Sequence, residues 1–139
     1  MVIKSSKPCQ PLIDLMRAEL LKSPQIFTDD TILPLQNDDK TRNSLIQSRL
    51  WVYATQQKTG PPIILYDFTR TRKKQGPQTF LANYQGYVQA DAYSGYDGLY
   101  ASGAKEVACM AHCRRYFEKA ALLEETPGPA HEAMLLIKR

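Results

Sequence analysis

Asp29 and Asp91 carry the clearest chemical promise in this chain. Each sits in or at the end of an apolar strand signal, where an ionised carboxylate is costly unless paired or metal-bound. Two carboxylates from neighbouring strands can hold hard divalent cations through oxygen ligands. Two such ions roughly 3.5–4 Å apart can activate a hydroxyl and stabilise a leaving oxygen in phosphodiester chemistry. Spacing alone leaves a second role open. Both aspartates could cap strand ends or turns, where aspartate is favoured.

Other groups are weaker. Cys109, His112 and Cys113 form a Cys-x-x-His-Cys run, but structural zinc takes about four ligands. Only His131 and Cys9 remain, and neither has matching local spacing. Cys109 therefore reads as a buried strand residue and His112 as the opening of a helix. Arg70, Arg72, Lys73 and Lys74 form a dense basic patch. In a loop it can contact phosphates without reading sequence, or simply be a solvated connection. Arg114 and Arg115 fall in the first turn of a helix, where the helix dipole disfavours them unless an anion or carboxylate is near. Tyr84, Tyr87, Tyr93, Tyr96 and Tyr100 crowd one short stretch. They suit core packing with tethered hydroxyls, and base stacking is the alternative. No Walker-type loop, Gly-x-Gly-x-x-Gly or Gly-x-Ser-x-Gly occurs, which removes support for nucleotide-cofactor and acyl-hydrolase readings.

These groups need a scaffold. The chain has 139 residues, 43% of them hydrophobic and 23% charged. That is a soluble globular composition for one small domain or a piece of a larger one. No apolar run approaches the roughly 18 residues that span a membrane. The N-terminal stretch lacks the apolar region of a secretory signal. Three cysteines point to a reducing cytoplasm. The net charge of +4 suits a polyanionic partner, but many ordinary proteins share such an excess.

Pro11 to Lys22 has the apolar spacing of an amphipathic helix, which Ser23-Pro24 stops. Strands are expected over Gln25 to Leu35, Arg49 to Thr55 and Ile63 to Thr69, the last two joined through Gly60-Pro61-Pro62. A polar loop separates the first two, from Gln36 to Ser48. Gln78 to Tyr84 reads as a short helix with Gly86 near its close. Then come a strand from Tyr87 to Ala92, a turn and short helix over Tyr93 to Tyr100, and a strand from Glu106 to Ala111. Helices follow over His112 to Leu123 and from Ala130 onward. Three successive strands, then strands alternating with helices, predict an α/β chain with a mixed sheet flanked by helices. This order is compatible with a ribonuclease-H-like fold.

Several motifs then resemble one family, in order along the chain. Val88-Gln-Ala-Asp-Ala-Tyr-Ser-Gly-Tyr96, with Leu99-Tyr100, resembles the second-aspartate motif of the insertion sequence 66 family of bacterial transposases. Ala108-Cys-Met-Ala-His-Cys-Arg-Arg-Tyr-Phe117 is similar to that family's Gly-Cys-Trp-Ala-His-x-Arg-Arg-x-Phe motif. Phe27-Thr-Asp-Asp-Thr31 resembles its first-aspartate motif, and Arg49-Leu-Trp-Val-Tyr53 and Gly76-Pro-Gln-Thr-Phe-Leu81 fit the intervening strand and helix.

The resemblance implies a ribonuclease-H-like catalytic core of the DDE type. Asp29 and Asp91 would be its first two metal-binding and catalytic carboxylates, and Mg²⁺ or Mn²⁺ its cofactor in the full enzyme. DNA is the implied partner, with a homo-oligomer in the transposition complex, no membrane, and a cytoplasmic location. Arg70, Arg72, Lys73, Lys74, Arg114 and Arg115 are the nucleic-acid-binding candidates. Ile32 stands where the family usually has Pro, Met110 where it has Trp, and Ala92 where it has Gly. Glu118, Glu124, Glu125 and Glu132 are present, but none lies in the motif of the family's third carboxylate. The expectation is a partial transposase, truncated at its C-terminus, with weak or no metal binding and no activity alone. A non-catalytic DNA-binding remnant is the alternative. The expected divisions are 1–24 (leading helix), 25–123 (partial core) and 124–139 (linker and truncated helix).

Overall fold

The computed structural model describes residues 2–36, 45–56 and 61–137. Its chain divides into two compact units, Met1–Val107 and Ala108–Arg139.

The first unit opens with α1 (Val2–Leu20). This helix starts earlier than apolar spacing predicts and carries Pro8 and Pro11 inside it, each of which removes an intrahelical hydrogen bond. Its anchorage lies at the C-terminal end. Leu20 is fully buried, and Met16 packs against the core. The Arg17 guanidinium donates to the Phe80 carbonyl at 2.6 and 3.0 Å and lies over the Phe80 ring. Leu12, Ile13 and Leu15 are exposed, so the expected apolar stripe is covered only at one end.

The strands are β1 (Gln25–Gln36), β2 (Leu45–Ala54), β3 (Ile64–Thr69), β4 (Tyr87–Ala90) and β5 (Lys105–Ala108). β2 starts earlier than expected, inside the predicted polar loop; residues 37–44 of that loop lie outside the described residues, as does Gly60 of the predicted turn. β1 pairs antiparallel with β2, from Phe27–Ala54 to Gln36–Leu45, and β2 antiparallel with β3. β1 also pairs parallel with β4, through Gln25–Tyr87, Ile26–Val88 and Phe27–Gln89. The order is β3-β2-β1-β4-β5. This is the ribonuclease-H-like mixed sheet expected from the element order, with β1 at its centre.

Alternation along the strands decides what each face carries. Ile26 and Thr28 of β1, Trp51 and Tyr53 of β2, Leu65 of β3, and Val88 and Ala90 of β4 are buried on one face. The other face of β3 shows Ile64, Tyr66 and Phe68 to solvent. On the covered face Tyr53 stacks on Phe80 with centroids 3.7 Å apart, and Trp51 meets Tyr96 edge-on at 6.2 Å.

α2 (Gln75–Phe80) begins three residues before the predicted start. The left-handed residue that follows it is Asn83, at φ 63°, and not Gly86; asparagine tolerates that region better than most residues. Gly86 has a different purpose. A Cβ there would stand 2.7 Å from the Pro24 carbonyl oxygen and collide with the Tyr84 hydroxyl. The close approach lets the Tyr87 N–H donate to Pro24 and the Lys105 N–H donate to Gly86, both at 2.9 Å. A 3₁₀ turn (Ser94–Tyr96) and α3 (Asp97–Ala101) fill the predicted turn-and-helix stretch.

The second unit holds α4 (Met110–Ala121) and α5 (Pro129–Ile137). The predicted strand to Ala111 is corrected here. β5 stops at Ala108, and Cys109 is the half-buried cap of α4, its carbonyl accepting from the His112 and Cys113 N–H groups. Those two bonds commit the backbone to the helix. Leu123, the last residue of the predicted helix, lies beyond α4 and is exposed.

A candidate acidic site between strands one and four

β1 is central because its backbone pairs with β2 on one edge and with β4 on the other. It thereby carries two consecutive aspartates, Asp29 and Asp30, beside the end of β4. Asp91 is the first residue beyond β4. Asp29 and Asp91 each lie two residues past the last parallel register pair, Phe27–Gln89.

Asp30 lies on the covered face, opposite Trp51. Its side chain is only 1% exposed, and it is neutralised twice. Arg49 Nη1 donates to Oδ2 at 3.0 Å. Arg72 donates to Oδ1 through Nε at 3.0 Å and Nη2 at 2.8 Å. The same Nη2 donates to Asp91 Oδ2 at 3.1 Å. One guanidinium therefore bridges the central strand and the end of β4. Asp91 Oδ1 accepts from the Tyr93 N–H at 3.2 Å, which turns the chain after β4.

Tyr93 completes the cradle. Its ring lies 4.1 Å below the Arg72 guanidinium carbon, and its hydroxyl donates to the Arg72 carbonyl. Burial works against the charge on Arg72, but hydrogen bonding to Asp30 and the charges of Asp30 and Asp91 outweigh it, so its pKa is raised. The guanidinium stays cationic. Burial also pushes the Tyr53 and Tyr96 phenols up, so both keep their protons near neutrality.

Asp29 lies on the other face. It lines a surface hollow of about 210 Å³ with Asp30, Thr31, Leu50, Val52 and Tyr66, and its Oδ1 accepts from the Asp30 N–H at 2.8 Å. Asp29 and Asp91 offer the hard oxygen ligands that magnesium or manganese takes. The carboxylate that shares a partner with Asp91 is Asp30, however, and it is occupied by two arginines. Among the described residues no three His, Cys, Asp or Glu side chains gather as a metal cluster. The described residues do not make up a complete metal site.

The basic patch divides. Arg70, Lys73 and Lys74 are exposed, whereas Arg72 turns inward onto the aspartates. Arg114 pairs with Glu118 one turn along α4, and Arg115 is exposed. Among the crowded tyrosines, Tyr84 and Tyr96 are buried in the core. Cys109 and His112 interact, and the thiol lies below its ordinary value. Burial would raise it, but hydrogen bonding and charge from His112 outweigh that.

Sequence reasoning missed Asp30, Arg49 and Tyr93. Strand parity could have found the first, because adjacent residues of one strand face opposite sides. Nothing local marks Arg49 or Tyr93 as partners of the acids.

Among the described residues no helix is long and apolar enough to cross a membrane. No solved structure matches the chain. An uncharacterized protein, y4hP of Sinorhizobium fredii, is 31% identical over 124 residues, covering 83% of this chain and 22% of that protein. A second from the same organism, y4jD, is 29% identical over 129 residues, covering 85% of this chain and 25% of that one. The chain thus spans about a quarter of the length of these relatives. The sequence model of the IS66 transposase family matches residues 1–139. The match runs through the whole sequence, and this chain belongs to the IS66 family of transposases.

Proposed function

We propose that this chain is part of a DDE catalytic core, with Asp29 and Asp91 as the first two carboxylates. The observation that best supports this reading is the parallel β1–β4 pairing, since Asp29 and Asp91 each follow its last register pair, Phe27–Gln89, by two residues. In the full-length enzyme the reading implies Mg²⁺- or Mn²⁺-dependent cleavage of DNA phosphodiester bonds, followed by strand transfer. DNA is the partner, in a homo-oligomeric transposition complex in the cytoplasm.

The motif of the family's third carboxylate does not occur in these 139 residues. Two carboxylates without a third hold a cation weakly and position it poorly. By itself the chain is therefore a scaffold without strand-transfer activity. Supercoiled plasmid incubated with the chain and Mg²⁺ should stay intact; nicking that vanishes in Asp91→Ala would overturn inactivity in isolation. For the carboxylates, the chain replaces the matching segment of an active full-length IS66-family transposase. Strand transfer by this chimera should be lost in Asp29→Ala and in Asp91→Ala, and retention in either rejects that assignment.

A second reading is a non-catalytic DNA-binding product, favoured by the exposure of Arg70, Lys73 and Lys74 on one loop. It expects salt-sensitive DNA binding, unchanged by Asp29→Ala and weakened when those three side chains are neutralised. Absence of binding at low salt rules it out.

A further inference from the structure

We propose that Arg72 is an internal counter-ion that competes with a divalent cation for the Asp91 carboxylate. The inference rests on the reading of Asp91 as a metal ligand and adds a residue that the basic-patch pattern had assigned to DNA phosphates.

The geometry is specific. One guanidinium makes three hydrogen bonds to two carboxylates that lie far apart in sequence, at 3.0, 2.8 and 3.1 Å. Such bridging is what a cation between two acids does, and the planar fork of arginine suits it. The bridge is held from both sides. Arg49 fixes the other oxygen of Asp30 at 3.0 Å. The Tyr93 ring supports the guanidinium from below, and the Tyr93 hydroxyl holds the Arg72 backbone.

The two ends of the bridge differ. Asp30 is almost fully buried and has a second arginine, so it stays neutralised whatever Arg72 does. The Asp91 side chain is 21% exposed and that of Arg72 36% exposed. The Arg72–Asp91 contact is therefore the one that solvent ions can reach. A divalent ion binding Asp91 must displace a hydrogen bond and sit beside a fixed positive charge, and both effects weaken its binding.

The test is Mn²⁺ binding to the full chain, followed by electron paramagnetic resonance of the free ion. Arg72→Gln should tighten binding by about tenfold, because it removes one unit charge next to the ligand. Arg72→Lys, which keeps the charge, should stay near the starting affinity. Adding Asp91→Asn to Arg72→Gln should erase the gain. In the unaltered chain, Mg²⁺ should shift the Arg72 Nε–H nuclear magnetic resonance signal as the contact opens; this measurement decides the matter if Arg72→Gln fails to fold.

Binding unaffected or weakened by Arg72→Gln, a gain that survives Asp91→Asn, or an Arg72 signal indifferent to Mg²⁺ would each overturn the counter-ion role. Mn²⁺ binding that ignores Arg72 leaves the transposase reading standing. No Mn²⁺ binding in any variant, Arg72→Gln included, overturns this role, whereas the assignment of Asp91 as a ligand is decided by strand transfer in the chimera.

Discussion

Asp29 and Asp30 are neighbours on β1 whose carboxylates serve opposite faces of the sheet, linked by the Asp30 N–H donating to Asp29 Oδ1 at 2.8 Å. Asp30 has a structural role, since its loss leaves Arg49 and Arg72 partly buried without their shared anion. Asp30→Ala should cost about 3 kcal/mol of stability. Asp29→Ala, at a half-buried position beside the surface hollow, should cost less. Urea unfolding of the two variants checks the division, and equal losses would contradict it.

The strands were largely legible. Runs such as Leu50-Trp-Val-Tyr53 and Ile63-Ile-Leu-Tyr66 combine branched and aromatic residues that suit a pleated, half-buried surface. The N-terminal part of α1 was not legible, because Pro8 and Pro11 argue against a helix interior. Arg72 was hidden by its neighbours. In sequence it is one of four cations, and only the folded register of β1 and β4 gives it carboxylates to bridge. Asp91 stands out from its place at a strand end, whereas the different surroundings of Asp29 and Asp30 follow only from the strand's facing.

Gly86→Ala tests the close approach between Gly86 and Pro24. The added methyl meets the Pro24 carbonyl oxygen at 2.7 Å, and backbone cannot yield as a flexible side chain can. A loss of about 1–3 kcal/mol is expected, the range for forcing extra volume into a packed site. A thermal melt at the unaltered midpoint would show that the crossing has slack.

Cys109 should be alkylated by iodoacetamide at a pH below that of an ordinary thiol, because His112 favours its thiolate. His112→Ala should move the alkylation profile of Cys109 upward. Peptide mapping separates Cys109 from Cys9 and Cys113. An unchanged profile in His112→Ala would remove His112 as the cause.

Glu124 caps the start of α5. Its carboxylate accepts from the Gly128 N–H at 3.2 Å and the Ala130 N–H at 3.3 Å, and it lies 2.8 Å from His131 Nδ1. The His131 hydrogen bond comes first among the causes that lower its pKa, and the backbone N–H groups add to it. A lowered folded-state pKa means the contribution is fully present above the ordinary carboxylate value of 4.5 and is lost as pH falls through the folded value. Amide exchange at Gly128 and Ala130 should therefore speed up as pH falls below 4.5, beyond the intrinsic trend. Glu124→Gln should flatten that dependence, and identical profiles would discount the cap.

The parallel pairing of β1 with β4 joins side chains 64 positions apart, as between Gln25 and Gln89. The β1–β2 and β2–β3 pairings are short-range hairpins and can close early, whereas this one must wait for a long loop to collapse. The acidic pocket is thus among the last features to mature as the polypeptide folds. A nascent or damaged copy keeps Asp30 and Asp91 apart until the strands have docked.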